Sequence, residues 1–333
     1  MSPDPTDASR RTLCVVCPCF NEAAGLRAFY AELKGVLASL ADLEHRIVLV
    51  DDGSTDTTLR VLDELAAGDE RVRAYSLSRN FGHQIALTAG CEVARGDALV
   101  LMDSDLQHPP ALIPAMVASW RAGADVVSAV RVRTAGASIF KRMSARVFYG
   151  LLNSISDTPI VPGAADFVLL SARAHAALLR MPERHRFLRG MVSWIGFRRE
   201  FVEYHAPARS TGESSYTLRR MIRFASDALF SFSTAPVRLA TRMGLAVVAC
   251  GMLYLAYILY TILAHPGQIV PGWSSLIIVV LILSGVQIVF VGLIGEYVAR
   301  IFEEAKGRPL YFFKQRPRDE EHAAGPAVPP APE

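Results

Sequence analysis

Two runs without a single charged residue constrain this chain more than any other feature. Gly244 to Ala264 and Ser275 to Gly295 are each 21 residues free of Asp, Glu, Lys and Arg, about 31 Å as helix, which matches a hydrocarbon core. Both are predicted to be transmembrane helices, with buried core helices as the alternative. The turn between them contains Pro266, Gly267, Pro271 and Gly272 and no Lys or Arg. Arg219, Arg220, Arg223, Arg238 and Arg242 precede the first run, and Arg300, Lys306, Arg308, Lys314, Arg316 and Arg318 follow the second. Cationic flanks stay on the cytoplasmic side, so the pattern predicts a multi-pass protein with both termini cytoplasmic. No signal peptide is expected in the polar Met1 to Arg11. The two runs also explain why 51% of the 333 residues are hydrophobic against 20% charged. A formal charge of +3 is too small to point to a nucleic-acid partner.

Just before the first run, Leu218, Met221, Ile222, Ala225, Leu229 and Phe230 recur at near-helical spacing, with Arg219, Arg220 and Arg223 on the remaining face. This segment either lies on the inner leaflet or packs on the preceding domain. The expected organisation is a flexible start (1–11), an α/β domain (12–215), an amphipathic juxtamembrane segment (216–236), a hairpin (237–300) and a tail (301–333). The Pro/Ala-rich end of that tail is expected to be disordered from about residue 316.

Residues 12 to 130 alternate strand and helix. Thr12 to Cys17, His45 to Val50, Arg71 to Leu77, Asp97 to Met102 and Ala124 to Val130 read as strands. Glu22 to Leu40, Ser54 to Ala67, Gly82 to Ala94 and Pro110 to Trp120 read as helices, the second capped by Ser54 or Thr55. Such βα units make a mainly parallel, Rossmann-like sheet wound on both faces. Cys14, Cys17 and Cys19 crowd one strand; without a second pair they read as small core residues rather than a metal or redox site, and Cys91 and Cys250 fit the same account.

The carboxyl ends of parallel strands share one edge, where open α/β sheets bind ligands. Strand one ends in Pro18-Cys19-Phe20-Asn21-Glu22, strand two in Asp51-Asp52-Gly53-Ser54-Thr55-Asp56, strand three in Ser78-Arg79-Asn80-Phe81-Gly82. The fourth runs Ala98-Leu99-Val100-Leu101-Met102-Asp103-Ser104-Asp105-Leu106-Gln107. Two carboxylates at i and i+2 point the same way and repel, so they suit a hard divalent cation such as Mg²⁺ or Mn²⁺ with substrate phosphates completing its shell. A solvated acidic turn is the alternative. Near Val50, the Asp52 carboxylate can accept hydrogen bonds from a ribose or base, and Phe20 can cover a base face.

These stretches, together with Asp166 to Leu170, Arg186 to Gly190, Trp194 to Phe197 and Arg209 to Tyr216, resemble the ordered motif set of family 2 glycosyltransferases with the GT-A fold. They are most similar to polyprenyl-phosphate glycosyltransferases, the group of dolichol-phosphate mannose synthase and bactoprenol glucosyltransferase. The likeness spans Thr12 to about Phe313. It implies nucleotide-sugar contacts at Pro18, Phe20, Glu22, Val50 and Asp52 and around Met102, Asp103, Ser104 and Ser215. It also implies a metal at Asp103, Asp105 and Gln107, and phosphate neutralisation by Arg131 and Arg209. Asp105 and Asp166 take the catalytic positions; Asp166 stands where the family has a candidate base, and orienting an Arg or stabilising positive charge on the sugar suits it as well. Phe20 stands where Tyr is frequent, Ser215 where mannosyl relatives often have Lys, and Val168 where bacterial relatives often have Arg.

The implied reaction is inverting transfer of a hexose from a nucleotide-diphosphate sugar to undecaprenyl phosphate in a bacterial inner membrane, giving a lipid-linked sugar donor for cell-envelope glycans. UDP-glucose is expected first and GDP-mannose second. A homo-oligomer packed through Gly285, Gly292 and Gly295 belongs to the same expectation. The Gln-x-x-Arg-Trp motif of processive synthases is absent, and an inactive membrane scaffold is the non-enzyme alternative.

Overall fold

The structure is a computed structural model that describes residues 10–131, 164–184, 186–204, 235–264 and 272–317. The chain divides into two compact units, one of residues 1–153, 158–216 and 308–333, the other of residues 154–157 and 217–307. The expected amphipathic segment up to residue 234, Arg209, Ser215 and the tail from residue 318 lie outside the described residues.

The first unit is a sheet in the order β7-β5-β6-β4-β1-β2-β3-β8. Its strands are β1 (Thr12–Cys19), β2 (Glu44–Asp51), β3 (Val72–Leu77), β4 (Ala98–Leu101), β5 (Val126–Arg131), β6 (Ala164–Ser171), β7 (Arg199–Tyr204) and β8 (Phe313–Gln315). Four of the seven pairings are parallel: β1 with β2, β1 with β4, β2 with β3, and β5 with β7. The mainly parallel expectation therefore holds. Antiparallel β6 is inserted between β4 and β5. Helices α1 (Leu26–Ala38), α2 (Thr58–Gly68), α3 (His83–Val93), α4 (Ile113–Arg121), α5 (Ala172–Leu179) and α6 (Leu188–Trp194) connect or cover the strands.

Strands buried on both faces read as continuous apolar runs. On one face Leu13, Val15, Ile47, Leu49, Val100 and Phe167 join Leu26, Phe29, Leu33 and Leu37 of α1, which recur at helical spacing, and Val61, Leu62, Met116 and Val117 of α2 and α4. On the other face α3 approaches β1 and β2. It does so through Gly90: a Cβ there would meet Val16 Cγ1 at 2.3 Å and Val50 Cγ2 at 3.2 Å. Cys14, Cys17, Cys19 and Cys91 are buried free thiols, as the core reading expects. Burial pushes Cys14, Cys19 and Cys91 up to about 12. Cys250 departs from that reading: it is exposed on the long helix described below.

One sheet element was not legible in the sequence. Phe313–Gln315 adds β8 antiparallel to β3, pairing Ser76 with Gln315 and Leu77 with Phe313. Ser78 N donates to Phe312 O at 2.9 Å. The Phe313 ring lies 5.4 Å from that of Tyr75 and 5.0 Å from that of Tyr311.

The second unit holds α7 (Ala235–Ala264) and α8 (Trp273–Ala305), 30 and 33 residues long, which contain the two charge-free runs and touch each other. Among the described residues, Leu283–Ala305 is long and apolar enough to cross a membrane.

Candidate active site

The loops after β1, β2, β3 and β4 meet at one sheet edge, and the strand order reverses between the parallel neighbours β1 and β4. Hydrogen bonds between loops distant in sequence set its shape. Asn21, in the left-handed region at φ 56°, accepts from Thr55 N at 2.9 Å and donates from its own N to Ser54 Oγ at 3.0 Å. Glu22 N donates to Thr58 Oγ1 at 2.9 Å. Ser54 and Thr55 thus latch the β1 loop and are not the cap of α2, which begins at Thr58 after Thr57 without a side-chain cap. That corrects the expected cap: the hydroxyls are taken by partners the sequence places more than thirty residues away.

Asp51 and Asp52 are both buried, in different roles. Asp51 accepts from Ser54 N at 3.0 Å and Ser76 Oγ at 2.7 Å. Asp52 accepts from Phe81 N at 2.8 Å and Gly82 N at 3.0 Å, so it organises the β3 loop with both oxygens. Burial raises the Asp52 carboxyl, and those two backbone N–H groups partly offset it.

The Asp103 to Gln107 turn is anchored on three sides. Ser104 Oγ donates to Pro18 O at 3.0 Å, Gln107 N donates to Asp105 Oδ1 at 3.0 Å, and Asp103 N donates to His108 Nδ1 at 3.0 Å. His108 stacks on Phe167 with ring centroids 5.3 Å apart. Leu106 holds φ 59°, an uncommon conformation for a leucine, while its side chain packs on the core. Asp103 Oδ1 lies 2.6 Å from His83 Nε2. Burial alone would raise the Asp103 carboxyl, but the His83 hydrogen bond and the charges of His108, His83 and Arg189 hold it down. Burial first, then the charges of Asp105 and Asp103, raise the Glu22 carboxyl.

Among the described residues, no three His, Cys, Asp or Glu side chains converge closely enough to encage an ion by themselves. The donors offered are hard oxygens of Asp103 and Asp105, with Gln107 beside them. Partial coordination of this kind fits Mg²⁺ or Mn²⁺, whose remaining positions go to water and substrate phosphates.

Asp166 and Arg189 form a bidentate pair, Nε to Oδ1 at 2.7 Å and Nη2 to Oδ2 at 3.0 Å. Gln84 Nε2 donates to Asp166 Oδ2 at 3.1 Å, and Gln84 Oε1 accepts from Leu188 N at 3.0 Å. Of the residues expected to contact a donor, Phe20 is 43% exposed, Asp105 is exposed and Glu22 is half-buried, whereas the Pro18, Val50 and Met102 side chains are enclosed. Arg131 is exposed at the end of β5, in register with Tyr204. Sequence reasoning did not single out His83, Gln84, His108 or Arg189. Arg189 lies within the Arg186 to Gly190 stretch, and His83 and Gln84 directly follow Asn80-Phe81-Gly82.

A sheet in which β4, β1, β2 and β3 run parallel and end around an Asp-x-Asp turn defines a GT-A glycosyltransferase. The chain belongs to glycosyl transferase family 2, whose sequence profile matches residues 14–179, and the profile of the GtrB C-terminal hairpin matches residues 235–301. It is 40% identical to the uncharacterized glycosyltransferase YkcC of Bacillus subtilis, over 90% of this chain and 93% of that protein. It is 38% identical to an SfII prophage-derived bactoprenol glucosyl transferase of Shigella flexneri, over 91% and 98%. Among solved structures, glucosyl-3-phosphoglycerate synthase from Mycobacterium tuberculosis in complex with phosphoglyceric acid aligns with a TM-score of 0.46 at 20% identity, covering 66% of this chain and 78% of that one.

Proposed function

We propose that this glycosyltransferase is an inverting, divalent-metal-dependent enzyme that moves glucose from UDP-glucose to undecaprenyl phosphate at a bacterial inner membrane. The observation that carries this reading is the Asp103-Ser104-Asp105 turn just past β4, pinned to the end of β1 by the Ser104 Oγ hydrogen bond to Pro18 O at the edge where the strand order reverses. Similarity to bactoprenol glucosyl transferases over nearly the whole chain supports the acceptor and the sugar. When bound at Asp103, Asp105 and Gln107, Mg²⁺ or Mn²⁺ would neutralise charge on the departing diphosphate.

The chain's own residues divide the remaining work. Phe20, Glu22 and the free lone pairs of Asp52 receive the nucleoside, with Pro18, Val50, Met102 and Ser104 shaping the crevice from below. Arg131, Arg209 and Ser215 serve the phosphates and the sugar. The second pKa of an acceptor phosphate is about 6, so it attacks largely ionised and needs no strong base. That frees Asp166 for positioning: its two oxygens already hold the Arg189 guanidinium in one plane.

Helices α7 and α8 hold the protein in the bilayer, and two crossings with cytoplasmic ends fit the arginine-rich flanks. β8 supports an even number of crossings, because the chain that leaves α8 rejoins the sheet it started from. Gly285, Gly292 and Gly295 meet no other heavy atoms within 4 Å where a Cβ would stand. They suit packing between copies.

The test is transfer of labelled sugar from UDP-glucose, GDP-mannose and other donors into organic-extractable undecaprenyl phosphate by detergent-purified protein, with and without Mg²⁺ or Mn²⁺. A metal-dependent lipid product from UDP-glucose, lost in Asp103→Ala and Asp105→Ala, is the expected result. A product from GDP-mannose alone replaces the donor. No lipid product from any donor, with nucleotide still bound, removes the acceptor.

A further inference from the structure

We infer that Gln84 is a positioning residue whose side-chain amide ties the metal-side loop to the Asp166 and Arg189 pair and fixes the Arg189 guanidinium for a phosphate. Its kinetic arm rests on the proposed glycosyl transfer. Gln84 is the second residue of α3, yet its partners lie 82 and 104 residues away. The amide nitrogen donates to Asp166 Oδ2 at 3.1 Å and lies 3.3 Å from His83 Nδ1. The amide oxygen accepts from Leu188 N at 3.0 Å, the residue before Arg189.

A carboxamide donates in one direction and accepts in the other whatever the pH. A carboxylate would repel Asp166, and an ammonium could not accept from Leu188. With its proton on Nε2, His83 donates to Asp103 and accepts from Gln84, so the chain of contacts runs from Asp103 to Arg189 without a gap. Asp166 accepts from Arg189 through both oxygens, and Gln84 is its third donor. Remove that donor together with the oxygen that accepts from Leu188 N, and the ion pair keeps its attraction but loses its fixed plane. A guanidinium reads phosphate through its fork, so the plane is what matters.

Gln84→Met keeps the volume and removes both hydrogen-bonding functions. In full-length protein, kcat/KM for transfer is expected to fall ~10–100-fold, the loss of two net hydrogen bonds. Equilibrium affinity for UDP with Mn²⁺ should stay within about twofold, because the Asp52, Asp103 and Asp105 side chains are untouched. A KM rise confined to the lipid assigns Arg189 to the acceptor phosphate. Unchanged kcat/KM, or UDP affinity lost in step with activity, overturns the inference.

Two further arms keep it decidable. Gln84→Glu retains the acceptor for Leu188 N but donates to Asp166 only when protonated, so its activity relative to wild type should rise from about pH 8 to about pH 5.5. A flat ratio speaks against the bridge. Amide exchange of the peptide containing Leu188 and Arg189 should accelerate in Gln84→Met while that of residues 99–107 does not. Unchanged exchange at Leu188 sinks the inference whether or not the wild type transfers sugar, whereas absence of transfer by wild type alone overturns only the proposed function.

Discussion

Gly53 shows how narrowly the site loops are specified at the level of single residues. It holds φ 67°, and a Cβ there would stand 2.4 Å from Arg79 C and 2.7 Å from Asn80 N, both backbone atoms that cannot swing aside. The left-handed conformation alone costs an alanine about 1–2 kcal/mol, and the clash adds to it. Gly53→Ala is therefore expected to lower the melting temperature by roughly 5 °C or more. It should also weaken nucleotide binding, because the displaced Arg79 and Asn80 precede the Phe81 and Gly82 N–H groups that hold Asp52. Unchanged melting would mean the β3 loop yields more easily than its close approach implies. The neighbouring Asn21 and Leu106 take the same backbone region by other means: a short amide that bonds locally in one case, a side chain anchored in the core in the other.

At the scale of elements, Asp69 joins three of them. It follows α2 and accepts from Arg71 through Nε at 2.8 Å and Nη2 at 2.6 Å, just before β3, and from Tyr30 Oη of α1 at 2.6 Å. The Arg71 hydrogen bonds hold its carboxyl far below the usual range despite an opposing contribution from burial. A carboxyl depressed in the folded state contributes stability that is complete above its unfolded pKa, about 3.9, and disappears as pH falls towards the folded value. Asp69→Asn should therefore melt below wild type at pH 7, with the gap closing as pH drops through 4 and below. A gap that stays constant across that window would show that the contacts, not the charge, carry the effect. β8 works at the same scale: it covers the β3 edge, which would otherwise present unpaired N–H and C=O groups.

For the whole molecule, β8 makes the hairpin an insertion within the sheet unit, because residues 308–333 belong to that unit and residues 217–307 to the other. Truncation after Thr234 removes α7, α8 and the edge strand together, so it cannot separate the proposed anchoring from folding. Replacing residues 235–305 with a flexible linker keeps β8. That variant should bind UDP with Mn²⁺ within about threefold of wild type and lose transfer to long-chain undecaprenyl phosphate by a much larger factor. The simple truncation should in addition melt at lower temperature. Equal loss of nucleotide binding and transfer in the linker variant would mean the hairpin chiefly supports the fold.

The sequence by itself determined the βα succession of the first 130 residues, the strand ends that carry Asp52, Asp103 and Asp105, and the two long apolar helices. Each of those is a local property: a period of apolar residues, a run long enough to cross a bilayer, a carboxylate just past a strand. Tertiary structure decided which of these groups meet. Nothing local says that Ser54 and Thr55 hold Asn21 rather than cap a helix, that His108 accepts from Asp103 N, or that Gln84 reaches both Asp166 and Leu188. β8 escaped for the same reason. Three residues carry too little periodicity to declare a strand, and Phe313 becomes one because the β3 edge, some 240 positions earlier in the chain, is there to pair with it.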